Sequence, residues 1–167
     1  MWGSINDKFS KYPARMAVAQ KMIDLGLRIG EDKRVYCGDL KISDSALANA
    51  ADVDRRVIKS TVNIIFNDEE LYEIFSNILP AGTFLKNIAK NLGLGVVEIE
   101  AGKESQGILA SVALLLSENE IDIRQAYAGD TQLQEKPVLT IITNDPIPGE
   151  LINEFLKIKG ISRVSLL

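Results

Sequence analysis

The hydrophobic pattern of this chain changes character at Gly93-Leu94-Gly95, and that change excludes a single uniform architecture. Upstream, apolar residues return at i, i+3, i+4 and i+7, the repeat that gathers them on one side of a helix. Downstream, Val97, Ile99 and Ala101 alternate with Val96, Glu98 and Glu100, the two-residue repeat of a strand with one covered face. A chain of 167 residues divided in this way has room for two small domains with modest cores.

In the upstream part, Met16, Ala19, Met22, Ile23 and Leu27 predict a first helix over 14–25, with Gly26 and Gly30 as stop signals. A short extended segment or turn is expected over 34–42. Ser43 offers an N-cap for a helix over 44–51, and Asp54 offers another for a helix continuing to about residue 65. In that third helix Ile58, Thr61, Val62 and Ile65 fall on one face, while Arg55, Arg56, Lys59, Ser60 and Asn63 fall on the other. One face is apolar and the other is basic and rich in hydrogen-bond donors. Two further apolar stripes follow, Leu71 to Leu79 and Phe84 to Leu92, broken by Pro80-Ala81-Gly82. They read as a helical connector.

The downstream part predicts strand, helix (106–119), strand (121–127), strand (137–143), helix from Pro148 to Gly160, and strand (161–167). This β-α-β-β-α-β order is the split, ferredoxin-like arrangement, with both helices on one face of an antiparallel sheet. The expected fold class is therefore α+β. It comprises an N-terminal all-α domain (1–67), a helical connector (68–93) and a ferredoxin-like domain (94–167).

Composition narrows the chemistry. Hydrophobic residues make up 46% and charged residues 25%, as in globular domains. The longest nearly apolar stretch, 107–116, is about half of what a membrane span needs. The N-terminus lacks the basic-then-apolar layout of a secretory signal, so a cytoplasmic location without membrane partners is expected. One cysteine, Cys37, and no histidine exclude a disulfide framework, leave almost no zinc ligand set, and remove the usual general base. No metal, cofactor or catalytic residue is expected. Charge is unevenly shared: residues 1–65 carry 11 Lys/Arg against 8 Asp/Glu, and residues 66–167 carry 8 against 15. The first part tolerates a polyanion better than the second.

The stretch LANAADVDRRVIKSTV, 47–62, resembles the helix-turn-helix of bacterial and archaeal transcription regulators. Ala48 supplies the small residue where the helices cross, and Leu47, Ala51, Val53 and Ile58 supply the apolar contacts. Asp52 stands where glycine is commonest and tolerates the left-handed conformation; Thr61 replaces a customary aliphatic. The resemblance implies that the second helix enters the major groove of DNA, with Arg55, Arg56, Lys59, Ser60 and Asn63 as the contact residues. A mildly basic domain of this kind is expected to need a dimer for useful affinity.

Residues 95–167 resemble an ACT domain, an amino-acid-sensing module, through the element order and the stretch EAGKESQGILASVALLLSENEIDIRQA. Glu104, Gly107, Ile108 and Leu109 match the family's strand-to-helix loop, whereas Gln106 stands where proline is frequent. The resemblance implies an amino-acid effector between this loop (Glu104, Ser105, Gln106, Gly107, Ile108, Leu109) and a second strand (Ile123, Arg124, Gln125), often one of a neighbouring subunit. Arg124 can pair with an α-carboxylate and Glu104 with an α-amino group. Together the two domains resemble archaeal regulators of amino-acid metabolism. The expectation is a homodimer or higher homo-oligomer that binds DNA and an amino acid, and is not an enzyme. The alternative is a regulatory subunit that senses an amino acid and docks on a biosynthetic enzyme.

Overall fold

The computed structural model describes residues 2–102, 105–129 and 137–167, apart from the side chain of Trp2. It divides into two compact units, Met1–Gly82 and Thr83–Leu167.

The first unit contains α1 (Trp2–Phe9), α2 (Pro13–Asp24), β1 (Leu27–Ile29), β2 (Val35–Cys37), β3 (Leu40–Ile42), α3 (Asp44–Ala51), α4 (Arg55–Asn67) and α5 (Glu69–Ser76). It is not all-α as expected, because β1, β2 and β3 form an antiparallel three-stranded sheet. Each strand is only three residues long, too short for a two-residue period to show. Leu27, Ile29 and Val35 nevertheless enter the same core as Val18, Met22, Leu47, Ile58 and Ile65. The first helix, α1, had no expected counterpart; it buries Ile5 and Phe9, one turn apart.

The 68–93 segment is not a separate connector. α5 belongs to the first unit, where Leu71 and Phe75 are fully buried in its core. Asp68 caps α5 by accepting from the Leu71 N–H at 3.2 Å, and its carboxylate also pairs with Lys8 of α1. The Lys8 ammonium, then the Leu71 N–H, hold the Asp68 carboxyl below its usual range. Beyond α5 the chain folds back on the unit: a Cβ at Gly26, whose φ is +63°, would lie 2.8 Å from Pro80 Cα. Glycine is required there both for its conformation and for that approach.

The apolar stripe over 84–92 does not form one helix either. It makes two single 3₁₀ turns, Lys86–Ile88 and Lys90–Leu92. At its start, the Gln125 side-chain amide accepts from the Leu85 N–H at 3.0 Å and donates to the Thr83 carbonyl at 2.9 Å. These bonds satisfy backbone groups at the start of the segment. Leu85 and Ala89 then pack against Leu94, Val96 and Ile142.

The second unit continues with β4 (Gly95–Ala101), α6 (Ile108–Glu118), β5 (Ile123–Ala128), β6 (Val138–Thr143), α7 (Leu151–Lys157) and β7 (Ile161–Leu166). The sheet order is β5-β6-β4-β7, with every pair antiparallel. This is the β-α-β-β-α-β arrangement read from the sequence. Val97, Ile99, Leu139 and Ile141 meet Val112 and Leu116 of α6 and Leu151 and Phe155 of α7 on one face. Gly95 starts the sheet where a Cβ would lie 2.5 Å from the Asp145 carbonyl oxygen and 2.9 Å from the Ile147 nitrogen. No helix among the described residues is long and apolar enough to cross a membrane.

Candidate functional site

The corner between α3 and α4 is held by local chemistry at each turn of the chain. Ser43 caps α3, its Oγ accepting from the Ala46 N–H at 3.1 Å. Asp52 ends the helix in the left-handed region, at φ 52° and ψ 50°, and the Val53 N–H returns to the Ala48 carbonyl at 3.0 Å. Asp54 then caps α4, its Oδ1 accepting from the Arg56 N–H at 2.7 Å. Two side-chain caps and one left-handed backbone position thus hold the corner from which α4 leaves.

Ile58, Thr61, Val62 and Ile65 turn α4 inward and are buried. The hydroxyl of Thr61, where an aliphatic side chain is customary, donates to the Val57 carbonyl at 2.8 Å, so its burial leaves no unmet donor. Arg55, Arg56, Lys59 and Asn63 are exposed on the outer face, with Ser60 half-buried beside them. The folded chain therefore gathers all five expected contact residues on one ridge. Arg55 has a loose ion pair, 3.9 Å, with Asp44, and its side chain stays 62% exposed and available.

Folding adds cations to both flanks of this ridge that the sequence alone did not assign. On one side a groove of ≈ 470 Å³ lies between α4 and the start of α2, lined by Lys11, Tyr12, Arg15, Arg56, Val57 and Ser60 among others. On the other, a cleft of ≈ 240 Å³ is lined by Asp32, Lys33, Arg34, Asp44, Lys59 and Asn63 among others. The tight turn carrying Lys33 and Arg34 is braced by Asp32, which accepts from the Tyr36 hydroxyl at 2.8 Å and the Arg34 N–H at 3.1 Å. The Tyr36 bond is the main cause that lowers the Asp32 carboxyl and raises the Tyr36 phenol from their ordinary values. Lys33 lies over the Phe66 ring, 4.4 Å from its centroid. These residues come from three separated parts of the chain, so only their basic character was legible beforehand.

The positive charge is local. With α5 included, the first unit carries 11 Lys/Arg against 12 Asp/Glu, a net charge of −1. Asp68 and Glu70 of the α5 region are engaged by Lys8 and Ser4, in α1. The ridge of α4 presents cations without an acidic neighbour on the helix itself, whose sequence is RRVIKSTVNIIFN.

In the second unit, a cleft of ≈ 270 Å³ opens beside the loop that follows β4. Ser105, Gly107, Ile108 and Leu109 line it together with Ala128, Gly129, Pro137 and Leu139. Gly107, at φ 76°, starts α6 without a side-chain cap, which leaves backbone N–H groups of the first turn directed out of the helix. Gln106 is exposed and does not line the cleft, and Glu104 lies outside the described residues. Ile123, Arg124 and Gln125 are not brought to this cleft within one chain. β4 and β5 both pair antiparallel with the intervening β6, so they run the same way and the loop after β4 meets the end of β5. The start of β5 is five residues from Ala128, about 16 Å at the usual rise per residue. Arg124 sits there in a bulge, and Gln125 is committed to the Thr83–Leu85 backbone. Among the described residues, no group of three His, Cys, Asp or Glu side chains could hold a metal ion.

No family model matches the chain, and no curated protein matches it. The chain is similar to three solved structures, two of which are described as transcriptional regulators. One is a regulator of the AsnC family from Pyrococcus furiosus, with 12% identity, 75% of this chain and 77% of that chain covered, and a TM-score of 0.29. The second is AsnC of E. coli, with 14% identity, coverage of 93% and 88%, and a TM-score of 0.29. The third is a regulator from Neisseria meningitidis solved with L-methionine, with 8% identity, coverage of 92% and 86%, and a TM-score of 0.27.

Proposed function

We propose that this protein is an amino-acid-responsive transcriptional regulator, in which the first unit binds duplex DNA and the second binds an amino acid and joins two copies. The observation that carries the DNA reading is the ridge of α4: a rigid, doubly capped corner that turns Arg55, Arg56, Lys59 and Asn63 outward while the opposite face is buried. A helix of that kind fits the major groove, where arginine bonds guanine through two acceptors. The mechanism is positional. Ser43, Asp52 and Asp54 fix the helix, and the helix places its cations.

The second unit supports an effector site shared between copies. Its cleft takes a small ligand, and the free N–H groups at the start of α6 can receive a carboxylate. The strand β5 is an edge strand with residues exposed or half-exposed along its whole length. Two copies pairing β5 against β5 in antiparallel fashion set the start of one strand beside the end of the other. Ile123 and Arg124 of one copy then reach the Ser105-to-Leu109 cleft of the other, where the Arg124 guanidinium meets the carboxylate. An effector held across that seam favours one arrangement of the two copies over another, which is how its binding reaches the DNA-facing helices.

Binding of a labelled 30-base-pair duplex to the intact chain at 50 and 200 mM salt tests the first part. Affinity is expected to fall by about 10³ or more over that range if six or more phosphates are engaged by the dimer. No binding at either salt concentration overturns the DNA reading and leaves the enzyme-docking subunit as the better account. For the second part, melting is followed against each of the twenty amino acids. At least one is expected to raise the transition through selective binding to the folded state, and Arg124→Ala is expected to abolish that rise. Melting that no amino acid shifts overturns the effector role.

A further inference from the structure

We propose that the groove between the start of α2 and α4 grips a backbone phosphate of the same duplex whose base edges face α4. Lys11 and Arg15 then set affinity without regard to sequence. This rests on the DNA reading above and extends it to residues outside the helix-turn-helix.

The groove has the chemistry of an anion seat. Lys11, Arg15 and Arg56 contribute three cations, Ser60 and Tyr12 contribute hydroxyls, and no carboxylate is among its lining residues. Arg15 is held in place, its guanidinium lying 4.5 Å from the centre of the Tyr12 ring. That stacking leaves the edge of the guanidinium free to fork onto phosphate oxygens. The start of α2 adds backbone donors. Pro13 occupies its first turn, Tyr12 makes no side-chain cap, and the Met16 N–H bonds the Tyr12 carbonyl at 3.0 Å, leaving the Ala14 and Arg15 N–H groups uncapped.

Position selects a duplex over other polyanions. The groove shares Arg56 and Ser60 with α4 and runs beside the N-terminal half of that helix, the half that enters the major groove in helix-turn-helix docking. A cation bordering that half faces the phosphates at the groove's edge. The opposite flank is a poorer seat, since Asp32 and Asp44 are among its lining residues and the Asp44 Oδ2 atom is buried without a hydrogen-bond partner. A phosphate there would meet two carboxylates that offset part of the attraction of Lys33, Arg34 and Lys59.

The test compares intact wild-type protein with Lys11→Ala/Arg15→Ala by fluorescence anisotropy, on an arbitrary 30-base-pair duplex and on a duplex enriched by selection from random sequence. The variant is expected to lose a similar factor on both duplexes. Its plot of log affinity against log salt is expected to be shallower by about 0.9 per chain, for the one phosphate contact removed. Lys11→Arg is expected to keep the wild-type slope. Far-UV circular dichroism and melting verify folding, and the single variant Lys11→Gln, expected to flatten the slope by about half as much, carries the test if the double variant melts early. An unchanged slope, or a loss confined to the selected duplex, overturns the phosphate grip while leaving the DNA reading intact. Wild-type protein that binds polyglutamate but neither duplex overturns both.

Discussion

Phe75→Ala lowers the unfolding free energy of the first unit by about 3–5 kcal/mol, the range for emptying a buried phenylalanine site that cannot collapse. Phe75 is fully buried in one core with Leu71, Ile65 and Met22, although it lies on α5, beyond the end of the α3–α4 corner. Were α5 a free-standing connector, removing its ring would cost the first unit nothing. The surrounding elements leave little room to relax, because α5 is tied to α1 through Lys8 with Asp68 and Ser4 with Glu70. Denaturant unfolding followed by residue-resolved amide hydrogen exchange in α2 and α4 reads the first unit. A midpoint that coincides with the wild type would place α5 outside that cooperative unit. Since a typical domain is stable by only about 5–15 kcal/mol, a loss of this size leaves the helix-turn-helix marginal at growth temperature.

What the sequence displayed and what it hid follow from the range of the interactions concerned. The α3–α4 corner was legible because its determinants are local. Ser43 and Asp54 precede the helices that they cap, Asp52 occupies the left-handed position, and four buried residues of α4 repeat at helical spacing. The β-α-β-β-α-β order was legible for a related reason: strands of six or seven residues and a wide apolar stripe on α6 each show their own period. The three-stranded sheet was not, since three residues do not make a pattern. An apolar stripe shows that a face is covered, not what covers it, which is why α5 read as a connector and the 84–92 stripe as a helix. The hydrogen bond from the Leu85 N–H to Gln125 spans forty residues, a contact that no local spacing displays.

The same distinction applies to the candidate sites. Arg55, Arg56, Lys59, Ser60 and Asn63 share one helix, so spacing alone put them on one ridge. Lys11, Arg15, Lys33 and Arg34 reach the flanks of that ridge only because the core brings α2 and the β1–β2 turn against α4. In the second unit, Ile123 to Gln125 and the loop after β4 were grouped by resemblance. The strand directions part them within one chain by the length of β5. The proposed pairing of two copies would bring them together again.

Arg55→Ala/Arg56→Ala is expected to cut affinity for a selected duplex by about 10²–10⁴, since each well-placed pair of hydrogen bonds to guanine contributes about 1–3 kcal/mol of discrimination and 1.4 kcal/mol is tenfold. Affinity for an arbitrary duplex falls much less, so the ratio between the two duplexes collapses. Stability should barely change. The Asp54 cap accepts from the backbone N–H of Arg56, which alanine retains, and the 3.9 Å pair of Arg55 with Asp44 is worth about 0–1 kcal/mol at an exposed position. The single variants divide the roles further. Arg56 also lines the phosphate groove and Arg55 does not, so Arg56→Ala should flatten the salt dependence as well as relax sequence preference, while Arg55→Ala should chiefly relax sequence preference. Competition binding with both duplexes measures the ratio directly. A double variant that keeps the wild-type ratio would mean that α4 does not read bases, however firmly the corner is built.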